Sequence, residues 1–329
     1  MKIELKDINK KYGKDFQIEH LNMTIESEKF ITFLGPSGCG KTTILRMIAG
    51  LETPDRGEIW FDDTCVFSDK RNFNLPPEKR NLGFVFQDFA LWPHMTVFEN
   101  VAFPLRARKR NENIEEKVMN ALKTVKLENL AERYPSQMSG GQQQRVAFAR
   151  AIAGNVDCIL FDEPLSALDA ILREEMRGEI KKISRELGIT SIFVTHDQIE
   201  AMSLSDEVFV LNQGKVEQCG SPQEIYNHPD SKFVAKFIGK SNWIENNMRF
   251  RPETASLEPV SEADVYEATV IDQQFLGNVY EVQLDMNGNH WVIETPEKQT
   301  AKKLAVYIDK KKIKVFPQKI LLDTDRRKK

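Results

Sequence analysis

The sequence predicts an α/β protein: a phosphate-binding core on a parallel sheet, interrupted by a helical section and followed by a small all-β domain. Three stretches carry that prediction. Gly35-Pro36-Ser37-Gly38-Cys39-Gly40-Lys41-Thr42 spells G-x-x-x-x-G-K-[ST], between an apolar strand candidate, Phe30 to Leu34, and a helical run, Thr43 to Ala49, closed by Gly50. Cys158-Ile159-Leu160-Phe161 is a second continuous apolar run, ending at once in Asp162-Glu163-Pro164, as a central parallel strand would. From Tyr266 onward short segments alternate apolar and polar with turn signals between them.

Each stretch has a chemical reading. Glycines at 35, 38 and 40 let the backbone curl until successive N–H groups face phosphate oxygens, and the following helix start adds partial positive charge. Lys41 would reach the β- and γ-phosphates, and the Thr42 hydroxyl would ligate magnesium. Met138-Ser139-Gly140-Gly141-Gln142-Gln143-Gln144-Arg145 opens a helix running to about Ala153. Two glycines there each cost about 1 kcal/mol against alanine. They make either a second anion site or a Ser139 N-cap with a loose start. Asp162 and Glu163 stand at the edge where open α/β sheets bind ligands. Asp162 would hold magnesium through its water shell and Glu163 would polarise the attacking water, although such a pair is often only a strand end meeting solvent.

With these residues in place the chain resembles the nucleotide-binding subunits of ATP-binding-cassette (ABC) transporters. The resemblance implies a P-loop ATPase core that binds ATP and Mg2+ through Gly35 to Thr43, with Thr43 added to the eight motif residues. It places the adenine on Tyr12, in Lys10-Lys11-Tyr12-Gly13. Gln87, in Phe84-Val85-Phe86-Gln87-Asp88, becomes a hinge residue contacting magnesium and water, so the metal set is Thr42, Gln87 and Asp162. His196, after the apolar run Ser191 to Val194, becomes the contact to the γ-phosphate, against a plain capping histidine. The implied catalytic set is Glu163, His196 and Gln87. Ser139, Gly140, Gly141 and Gln142 would face the nucleotide of a second copy, and Asp169, in Ser166-Ala167-Leu168-Asp169, would cross to that copy. One departure is visible: Met138 stands where the family motif has leucine, a change that keeps volume and apolarity.

Composition excludes other classes. The chain has 46 basic and 49 acidic residues, a net charge of −3, which argues against a phosphate-driven nucleic-acid binder. No stretch reaches the 18 or more apolar residues of a membrane span, and Met1-Lys2-Ile3-Glu4 opens without an apolar export signal. Cys39, Cys65, Cys158 and Cys219 are too scattered for a metal or disulfide framework and are expected to be free thiols.

The expected organisation is a nucleotide-binding domain at 1–239, with a helical subdomain at about 88–155, and a barrel domain at 240–329. Strands are expected at Ile3 to Leu5, Phe16 to Ile18, Met23 to Ile25 and Ile59 to Phe61, and helices at Ile114 to Leu127 and over Leu172, Met176, Ile180, Ile183 and Leu187. Ser221-Pro222-Gln223-Glu224 is a helix start, and Trp243 to Asn247 reads as a linker. Turns at Gly277-Asn278 and Asn287-Gly288 divide the strands of a five-stranded, OB-like barrel. Arg251-Pro252-Glu253 and Phe275-Leu276-Gly277 resemble the regulatory barrel, of TOBE type, on some importer subunits. The last 28 residues hold eleven Lys/Arg against three Asp, a solvated tail or a contact for anionic lipid.

The resemblance implies an importer ATPase converting ATP and water to ADP and phosphate. It would work as a homodimer on two integral membrane permease subunits, peripheral to the cytoplasmic face of the membrane, with solute delivered by an extracytoplasmic binding protein. Substrate leans to ferric iron, phosphonate or polyamine. The barrel region is shorter than in sugar-type subunits, and Ala90-Leu91-Trp92-Pro93-His94 resembles the iron and phosphonate branch. A sugar importer is the alternative. A soluble ABC ATPase on nucleic acid or ribosomes is remoter, since no sustained heptads separate Lys41 from Ser139 and the chain has one cassette.

Overall fold

The computed structural model describes residues 1–13, 16–108, 113–245 and 247–317. The chain divides into two compact units, Met1–Ile225 and Tyr226–Lys329, a division ahead of the 239/240 boundary expected from sequence.

The first unit opens with β1 (Ile3–Tyr12), β2 (Phe16–Ile25), β3 (Phe30–Leu34), α1 (Lys41–Ala49), β4 (Arg56–Phe61), β5 (Thr64–Ser68), β6 (Phe73–Asn74) and β7 (Leu82–Val85). The helical section follows as α2 (Val97–Ala107), α3 (Ile114–Thr124) and α4 (Gly140–Ile152). The chain then returns as β8 (Cys158–Asp162), α5 (Ala170–Glu186), β9 (Thr190–Thr195), α6 (Gln198–Leu204), β10 (Glu207–Asn212) and β11 (Lys215–Gly220).

Two sheets result. The six-stranded one has order β11-β10-β3-β9-β8-β7, parallel except for β11 at its edge. Every residue of β3, β8 and β9 is buried, as their continuous apolar runs require when both faces are covered. The second sheet, β2-β1-β4-β5-β6, is antiparallel and alternates buried with exposed positions. Sequence divides β2 into two strands. In the structure it is one, because His20 takes a left-handed φ of 50° and the irregularity is absorbed opposite Ile8 without breaking the ladder.

The helical section is built from caps and a shared core. Thr96 and Glu99 form a capping box at α2. Val97, Val101 and Leu105 of α2, Val118 and Leu122 of α3, and Phe148 of α4 are buried together. In α5, Met176, Ile180 and Ile183 are buried, whereas Leu187 lies at the C-cap with 45% of its surface exposed and drops off the predicted stripe. α3 ends at Thr124, three residues short of expectation, and Leu127 is buried beyond it.

The helix α7 (Pro222–Asn227) starts at a Ser221–Glu224 capping box. The second unit continues with α8 (Lys232–Phe237), β12 (Asn242–Glu245), β13 (Met248–Phe250), β14 (Ala255–Ser256), β15 (Ala263–Phe275), β16 (Tyr280–Met286), β17 (Asn289–Thr295), β18 (Lys303–Asp309) and β19 (Lys314–Val315). A five-stranded sheet, β14-β18-β15-β16-β17, is joined by a three-stranded one, β12-β13-β19. Asn287-Gly288, with φ of 52° and 87°, makes the two-residue hairpin between β16 and β17. The linker expected at Trp243 to Asn247 is a strand instead over its first three residues, with Asn246 outside the described residues. Ile244 is buried, and the Asn242 side chain exchanges two 2.7 Å hydrogen bonds with the backbone of Val292. Of the basic C-terminal run, the part from residue 318 lies outside the described residues.

Trp291 centres this unit: it is fully buried, packs edge-on to Phe250 and Tyr266, and donates from Nε1 to the Trp243 carbonyl at 2.8 Å. Trp291→Ala should therefore destabilise the unit by about 3–5 kcal/mol, read as a lower denaturant midpoint.

Candidate nucleotide site

Parallel register assembles the site. Leu34 pairs with Thr195 and Val194 with Asp162, so the phosphate loop, His196 and Glu163 emerge together at one carboxyl edge. The loop lies hard against β10: a Cβ on Gly35 would meet the Leu211 carbonyl oxygen at 2.3 Å. Gly40 takes φ 107°, a conformation only glycine holds without strain, and hands the chain into α1.

Lys41 is buried and folds back on its own loop, donating to the carbonyls of Gly35 at 2.8 Å and Pro36 at 3.0 Å. The Thr42 hydroxyl donates to Asp162 Oδ1 at 2.8 Å, which sets two hard oxygen donors side by side. Burial pushes the Asp162 carboxyl above its ordinary value, opposed by the Thr42 hydroxyl and by Arg46, whose Nη2 lies 3.7 Å away. Cys39 is buried 3.8 Å from Lys41 Nζ, and burial pushes its thiol up rather than making it a thiolate.

Glu163 is the strained member. Its backbone is left-handed, φ 45°, and is held by its N–H donating to the Val194 carbonyl at 3.1 Å. Such a conformation costs on the order of 1–3 kcal/mol and belongs where geometry matters more than stability. His196 Nδ1 lies 3.1 Å from Glu163 Oε2. An ionised carboxylate only accepts, so Nδ1 carries the proton and Nε2 faces away from that bond. Gln87 is exposed two residues beyond β7, whose Val85 pairs with Phe161.

A cleft of about 400 Å3 runs along the loop, lined by its residues, Glu163 and Phe16. Sequence reading passed over Phe16, which alternates like any strand residue. Tyr12, the aromatic singled out for adenine, is 40% exposed and packs at 6.3 Å on Phe16 rather than lining the cleft itself. Ser139, Gly140, Gly141 and Gln142 do not line it either. Ser139 and Gln142 form a capping box at α4, and a Cβ on Gly141 would meet Leu172 at 2.7 Å, so the N-cap reading and a packing demand both hold. Asp169 caps α5 through Leu172 N at 2.9 Å.

A further network surrounds His196. Thr195 Oγ1 accepts from Asp197 N and donates to the buried Glu200. Arg173 bonds the Leu168 carbonyl at 2.9 Å and lies 4.0 Å from Glu200, its Nε buried without a hydrogen-bond partner. The only sequence signal for it was a lone acid early in α6. Elsewhere in the unit, β7, α2 and the end of α4 line a mostly apolar groove of about 490 Å3 with Phe84, Phe86, Trp92 and Phe103.

Among known proteins, a spermidine/putrescine import ATP-binding protein, PotA, of Clostridium acetobutylicum is 44% identical over 320 residues, 88% of this chain and 89% of that one. The chain belongs to the ABC transporter family. The family profile described as ABC transporter matches residues 18–166. The PotA of Haemophilus influenzae is 52% identical over 244 residues, 74% of this chain, which spans 64% of that protein's length. The dimeric post-hydrolysis structure of the ATP-binding cassette MJ0796, bound to ADP and Pi, matches with a TM-score of 0.57 and 36% identity over 67% of this chain and 98% of that one. The cassette cbiO1 of Clostridium perfringens, part of the transporter complex cbiONQ, matches at 0.60 and 28% identity, covering 69% and 90%. The chain is thus an ABC ATPase with a P-loop core.

Two outcomes follow from the geometry. Glu163→Gln keeps the shape but not the basicity, so ATP turnover should fall by about 100-fold or more while an ATP-dependent dimer accumulates in size exclusion. Asp162 is ionised only above its raised value, so magnesium-ATP affinity relative to Asp162→Asn should decline as pH falls from neutral towards the carboxylate range. A ratio flat in pH would exclude Asp162 from the metal.

Proposed function

We propose that this chain is the ATP-hydrolysing subunit of a polyamine importer. The observation that carries it is the convergence of the Thr42–Asp162 pair and the Glu163–His196 pair on one sheet edge, in the same unit as the apolar groove.

The residues fit a nucleotide with magnesium. Thr42 and Asp162 offer hard oxygens side by side, and Gln87 follows β7, the strand paired with the one that ends in Asp162. When bound, Mg2+ would neutralise charge on the β- and γ-phosphates. Lys41 exchanges its two loop carbonyls for phosphate oxygens. Tyr12 and Phe16 form the aromatic shelf for the base. Glu163 accepts the proton of the attacking water while His196, oriented through Nδ1, presents Nε2 to the γ-phosphate. Ser139, Gly140, Gly141 and Gln142 act on the nucleotide of a second copy, and Asp169 crosses between copies, in a head-to-tail pair with two equivalent sites. The dimeric cassette structures support the dimer.

The groove of Phe84, Phe86, Trp92 and Phe103 suits an apolar segment of each of two permease subunits. No helix among the described residues is long and apolar enough to cross a membrane, which fits a subunit peripheral to the cytoplasmic face. An extracytoplasmic binding protein would deliver solute to the permease. Residues 240–329 make the regulatory, TOBE-type domain. The PotA relatives narrow the leaning among ferric iron, phosphonate and polyamine to polyamine, and neither a sugar importer nor a soluble nucleic-acid ATPase is favoured.

The test is reconstitution of the full chain with its permease and binding protein in liposomes. Spermidine or putrescine with the binding protein should stimulate ATP hydrolysis about tenfold, a typical coupling energy. Stimulation by a ferric, phosphonate or sugar ligand instead would overturn the substrate, and ATPase activity indifferent to the permease would overturn the importer.

A further inference from the structure

We propose that Arg150 is a positioning residue that holds Phe89 and Ala90 in left-handed backbone and so makes the Gln87 loop and the helix α4 one mechanical piece. The proposal rests on the ATPase reading above for its consequence in turnover, but its geometry stands without it.

Phe89 and Ala90 follow Gln87-Asp88 with φ of 60° and 45°. Two successive non-glycine residues in this region are strained, because each Cβ crowds its own backbone. Something must hold them. Phe89 is buried, but Ala90 is exposed and gains little from packing. Successive left-handed residues turn their carbonyls the same way, as in any helical turn. The Arg150 guanidinium meets both: Nη2 donates to the Phe89 carbonyl at 2.7 Å and Nη1 to the Ala90 carbonyl at 2.5 Å. A planar fork matches paired acceptors as a lysine ammonium cannot.

A cation on carbonyls rather than on a carboxylate is a costly choice for a residue only 8% exposed. Burial lowers Arg150 to about 10, which still leaves it charged near neutral pH. Its guanidinium also lies 5.2 Å over the Trp92 ring, and Asn100 of α2 brackets the Trp92 backbone by accepting from its N–H at 2.8 Å and donating to its carbonyl at 3.1 Å. The loop after Gln87 is therefore pinned twice, by α4 and by α2. Arg150 stands one helix length from Ser139, so a displacement at that end of α4 moves the Phe89 and Ala90 carbonyls with it.

The experiment uses the full chain and four variants. Arg150→Lys keeps the charge but loses the fork. Hydrogen exchange of amides in 88–92 should quicken about tenfold with the rest of the chain unchanged, and kcat for ATP should fall about tenfold while KM moves less than about twofold. Ala90→Gly removes the left-handed penalty, so Arg150→Lys combined with Ala90→Gly should recover most of both losses. Ala90→Val raises the penalty at an exposed site where folding is not at stake, and should reproduce the Arg150→Lys effects with Arg150 intact. Exchange and turnover like wild type in Arg150→Lys, or a loss that spreads over the whole chain and ignores Ala90→Gly, would overturn the proposal. A wild-type chain that hydrolyses no ATP would overturn the ATPase reading and leave the exchange result to decide the hinge.

Discussion

The parallel, in-register pairing of β3, β9 and β8 is the constraint on which the site depends. These strands are buried on both faces, so a one-residue slip would take Asp162 out of line with Thr42 or pull the phosphate loop off the edge. The register Leu34 to Thr195 and Val194 to Asp162 fixes three loop starts within one sheet edge. Gly35 adds to this: the loop passes so close to the Leu211 carbonyl of β10 that no side chain fits between them. The Thr42–Asp162 hydrogen bond then closes the gap between the helix that follows the loop and the strand that carries the acids.

Around that edge the chain accepts local conflicts that it avoids elsewhere. Asp162 is a carboxylate buried at 5% exposure, Glu163 is left-handed, Glu200 is buried with a hydroxyl as partner, and Arg173 leaves Nε without an acceptor. Local rules broken together at one place mark function more reliably than any single break. Burial is the main cause that raises Glu200 as it raises Asp162, and Glu200 acts through Thr195 on the backbone that presents His196.

The core and most of its edge were legible in the sequence because their signals are physical necessities: continuous apolar runs for doubly covered strands, glycines where backbone approaches backbone, carboxylates at a strand end. What escaped had no local signal. Phe16 reaches the cleft only because β2 runs beside the loop, and in sequence it is one more alternating apolar residue. Trp243 and Ile244 sit among polar neighbours and read as a linker, but they gain a ladder partner in β13 that composition cannot show. Leu187 kept the helical spacing yet lies past the last turn, where periodicity no longer reports burial. Arg46 and Arg173 are charges on helices, ordinary until their partners across the chain are known.

The start of α4 poses the remaining question of what its exposed donors face. Its first N–H groups have no partner within the helix, and the Ser139–Gln142 box satisfies only part of the demand. A Cβ on Gly141 would displace the Leu172 side chain, and Gly140 is exposed beside it. The exposed Gly140 thus leaves the first turn without a side chain at its outer position. The cleft along the phosphate loop of the same chain is lined by none of these residues. A bare, donor-rich helix start that its own nucleotide cleft does not use is suited to an anion presented from outside. In the proposed head-to-tail pair a second copy would present one, on the nucleotide held by its phosphate loop. In that proposed pair the composite site would follow from how α4 packs on α5, and dimerisation would complete a helix terminus as much as an enzyme.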